Sequence, residues 1–172
     1  MINYDLFKEI EHYAKRHVES SLEHYKSRNQ NQETMFINCL RGKIAEWECF
    51  FSMKKEGYIL KEKPDMLIYS GSNKSYDADL VCIGKNNSIY EIARHIHVKS
   101  ISQETNQRIG ASFLVQKNDP LVIHPKDNHY YSVLLQQSLT QYTFHTWLKS
   151  TETTYSEPKA KHLAKTKLAV YL

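Results

Sequence analysis

Three short segments hold the residues whose types and spacing could do chemistry: GKIAEW at 42–47, SYDADLVCIG at 75–84 and IHVKSIS at 96–102. Asp79 stands immediately before a run of β-formers, so its carboxylate is expected near the start of a buried strand, where an unanswered charge is costly without a cation. Alternation along a strand puts His97 and Lys99 on one face and turns Val98 to the other. An acid and an H-x-K pair on neighbouring strands can meet around one metal ion. Glu46 follows Gly42 by four residues on a helix, so the glycine lowers the surface beside it; without that, a helical glutamate is ordinarily solvated.

These groups must be positioned by the elements around them. Leu6, Phe7, Ile10, Ala14, Val18, Leu22 and Tyr25 recur at three- and four-residue spacing, which predicts a helix over 4–28 with one buried stripe. Phe36, Leu40, Ile44, Trp47 and Phe51 continue that spacing to Lys55, where Glu56-Gly57 ends a second helix carrying Glu46. From Tyr58 the period changes to short β-rich runs at 58–60, 66–69, 78–83, 89–101, 112–116, 121–123 and 130–135, divided by Gly, Asn, Asp and Pro clusters. Residues 142–148 suit either a strand or a helical turn, and Pro158 opens a basic segment expected to be a short helix. No repeat, low-complexity tract or linker divides the chain. The expectation is an α/β domain, with α+β as the variant, over 1–172: helices in 1–55 and a mostly antiparallel or mixed sheet in 56–136.

The hairpin between the second and third segments decides whether the acids and the lysine meet. A tight two-residue turn at Asn86-Asn87 would set Asp79 opposite Arg94 and leave His97 and Lys99 many ångströms away, at about 3.3 Å per residue. Only a longer loop or a bulge brings Asp79 beside His97. Glu91, on the alternating face of His95, His97 and Lys99, is the reserve carboxylate, and Asp77 competes with Asp79. Pro64-Asp65 spells a literal PD but lies far upstream.

Composition narrows the classes. The chain has 172 residues, long enough to bury a core without disulfides or structural metal. Five glycines never fall as GxGxxG or GxxxxGK[ST], which argues against dinucleotide and P-loop sites. Cys39, Cys49 and Cys82 form no CxxC and are expected as buried thiols in a reducing, cytoplasmic setting. His95 and His97 have no third ligand at a recognisable spacing, and HExxH is absent. No apolar run suits a secretion signal or membrane span. The net charge of +4 is modest but compatible with a polyanion partner.

Taken together, the three segments resemble the PD-(D/E)XK, or restriction-endonuclease-like, nuclease superfamily, whose pattern is a helical Glu, a strand Asp and (D/E)-x-K on the following strand. The resemblance covers roughly 42–101 and places Glu46, Asp79 and Lys99 on those positions, with His97 where the family most often has Asp, Glu or Gln. It implies a central mixed sheet flanked by helices, a divalent metal and phosphodiester hydrolysis. In-line attack on a phosphodiester needs a hard cation that activates water and neutralises developing charge. Glu46 and Asp79 would supply oxygen ligands suited to Mg²⁺, and Lys99 would orient water or stabilise the transition state. His97 as a ligand favours Mn²⁺; outside the first shell it is a base or a phosphate contact.

The expected function is therefore a metal-dependent nuclease, DNA before RNA, endonucleolytic, of restriction or phage type, and dimeric if it cuts both strands. Arg41, Lys43 and Gln116, with Lys159, Lys161, Lys165 and Lys167, are the candidate phosphate contacts. The rival readings are a catalytically silent nuclease-like fold that binds nucleic acid or protein, and a small interaction domain in which the segments coincide by chance.

Overall fold

The computed structural model describes residues 2–25, 31–69 and 78–172, with the side chains of 22–25 left out. Helix α1 (Tyr4–Tyr25) and helix α2 (Gln32–Lys55) pack against each other through the predicted stripe, Ile10 and Ala14 meeting Leu40, Ile44 and Trp47. Asn31 caps α2 by accepting the Glu33 N–H, satisfying a donor that the first turn leaves open. Gly57, at φ +83° in the left-handed region that glycine adopts without strain, turns the chain out of α2, and its carbonyl accepts the Asn86 N–H at 2.9 Å, joining the helix end to the later hairpin.

Five strands form a mixed sheet in the order β1-β2-β3-β5-β6: β1 (Tyr58–Leu60), β2 (Leu80–Lys85), β3 (Ser88–Ile101), β5 (His129–Ser138) and β6 (Gln141–Lys149). Only β3 and β5 run parallel; the other neighbours are antiparallel. A second, two-stranded sheet joins β4 (Ser112–Gln116) to β7 (Lys167–Tyr171). Two apolar clusters cover the sheet. One sets Leu80, Cys82, Ile96 and Leu134 against α1 and α2, and the other sets Ile101, Tyr131 and Val133 against Phe113, Val115 and Val170.

Several expectations are corrected. Residues 66–69 form no strand: the Asp65 carboxylate accepts the Leu67 N–H at 2.8 Å and the Tyr69 hydroxyl, tying the segment into a local turn. Residues 121–123 belong to a short helix, α4 (Pro120–Ile123), because Asp119 caps Leu121 N–H and Pro120 fits the first helical position. The helix expected after Pro158 is a 3-10 turn at Lys161–Leu163 followed by β7, whose Ala169 and Val170 are buried. Residues 142–148 resolve as strand. Helix α3 (Gln103–Ile109), capped by Ser102 and ended by Gly110, stands where no element was predicted. The sheet also runs beyond residue 136 through β6. No helix among the described residues is long and apolar enough to cross a membrane.

Candidate active site

The β2–β3 hairpin resolves the question of register by combining both alternatives. Asn86 and Asn87 make the tight turn, at φ 49° and 65°, the left-handed pair that asparagine tolerates. Beside the turn Lys85 pairs with Ser88 and Gly84 with Ile89, but further along Cys82 pairs with Arg94 and Leu80 with Ile96. The bulge between Cys82 and Gly84 advances β3 by three residues, so Asp79 meets the His97–Val98 stretch instead of Arg94. Gly84 permits it: a Cβ there would stand 2.3 Å from the Ser88 carbonyl oxygen.

Asp79 Oδ2 accepts the backbone N–H of Val98 at 2.7 Å. Strand β2 begins at Leu80, so this carboxylate takes the place that a continuing strand would fill on that edge of β3. Burial raises the Asp79 carboxyl above the usual carboxylate range, against the opposing pull of Lys99, the Val98 N–H and Lys43.

Glu46 faces the same place from α2. Its carboxyl is pushed up to about 8 by burial and by the charge of Asp79, while Lys43 and Lys99 pull it back. Lys43, one helical turn earlier, donates to Glu46 Oε2 at 2.5 Å and to the Asp65 carbonyl at 2.7 Å, and its ammonium lies 4.9 Å from the centre of the Tyr13 ring. Two acids and two ammonium groups thus share one poorly solvated region. The literal PD enters through its backbone: the Asp65 carbonyl helps fix Lys43.

Lys43 is 8% exposed, so it is a partner of Glu46 rather than the phosphate contact that a helical lysine suggested. Its spacing to Glu46, i to i+3, is the signal that could have been read as an ion pair. Arg41 gives its carbonyl to the Tyr142 hydroxyl at 3.2 Å, and its Nε is buried without a hydrogen-bond partner. Gln116 is exposed on β4 opposite Lys167, in the second sheet. Lys159 donates to the Ile109 carbonyl. Glu91 is exposed on β3, and Asp77 lies outside the described residues.

His97 and Lys99 do share a face, as alternation predicts, and Tyr131 shares it with them: the Lys99 ammonium is 5.9 Å from the Tyr131 ring centre, as is the His97 ring. The His97 ring, however, bonds to a histidine that the sequence reading left unused. His97 Nε2 and His129 Nδ1 are 2.9 Å apart, and His95 stacks on His129 at 4.5 Å with the rings 6° from parallel. The parallel register that sets His95 opposite His129 creates this trio. Burial and the neighbouring charges of Lys99, His129 and His95 lower His97 to about 3, and burial with His95 and Lys126 lowers His129 to about 4. Both rings are neutral near pH 7.

Among the described residues no three His, Cys, Asp or Glu side chains converge to hold an ion, and the His97 ring is engaged by His129. What converges is a pair of carboxylates. Magnesium commonly uses one or two protein carboxylates and keeps water and phosphate oxygens for the rest, so Glu46 and Asp79 fit that ion as a donor set. Burial raises the proton affinity of both, and the charge of Asp79 adds to that of Glu46; a cation between such acids favours their ionised forms.

Compared with protein-family models, curated proteins and solved structures, the chain matches none. The functional reading therefore rests on the site itself.

Proposed function

We propose that the protein is a divalent-metal-dependent nuclease of restriction-endonuclease-like fold, hydrolysing phosphodiester bonds in DNA, with Glu46, Asp79 and Lys99 as its working groups. The observation that carries this reading is the bulged register, which sets Asp79 against Val98, between His97 and Lys99, and within the field of Glu46. A hairpin pays for such an irregularity in lost ladder bonds, and here the gain is a half-buried acid within the field of a lysine. The three positions are those of the helical Glu, strand Asp and x-K lysine of the PD-(D/E)XK pattern.

Glu46 and Asp79 would hold Mg²⁺, or Mn²⁺, and the ion would supply charge neutralisation and water activation at the phosphate. Lys99 would hold the attacking water or the phosphate oxygen by its ammonium donors. Lys43 fixes the Glu46 carboxylate. His97, bonded to His129, positions the strand that carries Lys99 instead of binding the ion. The three cysteines are free thiols, which suits a reducing cytoplasm. A homodimer would serve cleavage of both strands.

One observation favours the silent nuclease-like binding module as the second reading: among the described residues no third His, Cys, Asp or Glu joins Glu46 and Asp79. The test is cleavage of plasmid and single-stranded DNA with Mg²⁺, Mn²⁺ or chelator, by wild type and Asp79→Ala. Metal-dependent cutting by wild type alone is the expected result; no cutting under any metal, with DNA still bound, favours the silent module.

A further inference from the structure

Between the C-terminal half of α2 and the outer strands lie two cavities, of 340 and 170 Å³, that share Met53 and Trp147 as a common wall. The larger falls within the usual span of small-ligand pockets, about 300–1,000 Å³. Met53 lies two helical turns beyond Glu46, about 10 Å along the axis, and Ile96, which lines the smaller cavity, lies just before Val98 on β3. Cys49 of the larger cavity stands one helical turn beyond Glu46, so the groove ends close to the carboxylate pair, although neither Glu46 nor Asp79 lines it.

Its walls are aromatic and its rim is cationic. Tyr58, Tyr130 and Trp147 line the walls, and Phe144, 47% exposed, stands 5.5 Å from Trp147 across the mouth. At the hairpin end the Arg94 guanidinium lies 4.1 Å from the Tyr90 ring centre and 5.9 Å from that of Tyr130, and the Lys85 ammonium lies 4.1 Å from the Tyr58 ring centre. Among the described residues neither cation has a carboxylate partner. Glu48 and Glu56 are the groove's acids, and Glu48 accepts the Ile2 N–H at 3.3 Å. A guanidinium stacked on a ring keeps its N–H edges free for phosphate, and open aromatic faces accept bases of any identity.

We infer that this groove binds a single strand of nucleic acid, its unpaired bases lying against Trp147 and Tyr130 and its phosphates against Arg94 and Lys85. The inference rests on the nuclease reading and deepens it: the strand delivered to Glu46 and Asp79 is unpaired. A duplex hides its base faces in its own stack and cannot enter such a groove without unstacking.

The test uses an oligothymidylate and a duplex of equal length, in chelator so that nothing is cut, followed by tryptophan fluorescence and by anisotropy of a labelled strand. The single strand is expected to quench wild-type fluorescence and to bind about tenfold more tightly than the duplex, the worth of one stacked base. Trp147→Phe should abolish the quench, because the remaining Trp47 is buried in the helix interface. Arg94→Ala, at an exposed position, should weaken the single strand about tenfold and reduce the salt dependence of binding. Equal affinity for duplex, a quench that survives Trp147→Phe, or unchanged binding by Arg94→Ala would each overturn the inference. Single-strand binding without cleavage on adding Mg²⁺ or Mn²⁺ defeats the nuclease reading and leaves the groove's occupant standing; metal-dependent cutting with duplex preferred does the reverse.

Discussion

Asp79 bonds to the backbone of Val98, three residues further along β3 than the Asn86-Asn87 turn alone would bring it. That displacement is the difference between a carboxylate facing Arg94 and one in the field of Lys99. The hairpin thus does the work of assembling the site, and its irregular step is open to direct test.

Gly84→Val places a side chain against the Ser88 carbonyl and Ile89. Overpacking of this kind costs about 1–3 kcal/mol. The expected result is a lower midpoint in urea together with loss of DNA cleavage, whereas a substitution at exposed Ile92 leaves both near wild type.

Lys99→Ala should reduce cleavage by about 10²- to 10⁴-fold, the range typical of a proton-handling or orienting group. Circular dichroism should be unchanged. Cleavage at the wild-type rate by a folded Lys99→Ala protein removes Lys99 from the mechanism.

Glu46 makes stability fall with rising pH. Its carboxyl titrates near 8 in the folded protein against an ordinary 4.5, so between those values the native state holds the extra proton. The stabilisation is complete below pH 4.5 and is lost as pH rises through 8. In chelator, Glu46→Gln should flatten this slope and raise the melting temperature at pH 8. Magnesium should raise the wild-type melting temperature at that pH, by up to about 2.7 kcal/mol of stability at a hundredfold excess over Kd, and leave Glu46→Gln unmoved.

His97 acts with the opposite sign. Its folded value near 3 lies below the ordinary 6.5, so its contribution is complete above pH 6.5 and is lost as pH falls toward 3. His129, near 4, adds to the same limb. Acid unfolding should therefore begin below pH 6.5, and His97→Gln should make the loss of stability below that pH shallower, leaving the part that His129 contributes, as read by near-ultraviolet dichroism.

Much of this was legible in residue order. The stripe from Leu6 to Phe51 predicts both helices, and the β-rich runs at 58–60, 89–101 and 112–116 match β1, β3 and β4 within a residue. Local chemistry overrode the pattern elsewhere: the side chain of Asp65 diverted 66–69 into a turn, and Asp119-Pro120 made a helix of an apolar run that reads as strand. The site was half legible. Glu46, Asp79 and Lys99 could be named from their spacing, but the bulge depends on the absence of a Cβ at Gly84, and the pairing of His97 with His129 depends on a parallel register between remote strands. Pairings of that kind leave no local trace. Lys43 was misjudged because solvation is the default for a helical lysine, and only its burial reveals the partner.

The parallel join of β3 to β5 has a consequence for the order of assembly. Asp79 and Val98 belong to one hairpin, closed by a short turn that forms quickly, whereas Tyr131 reaches Lys99 only after α3, β4 and α4 have been looped out between the two strands. Closing the larger loop is the slower step. A refolding chain should therefore seat its acid first and acquire the aromatic floor beneath its ammonium last, so the rate at which this site matures is governed by the docking of β5.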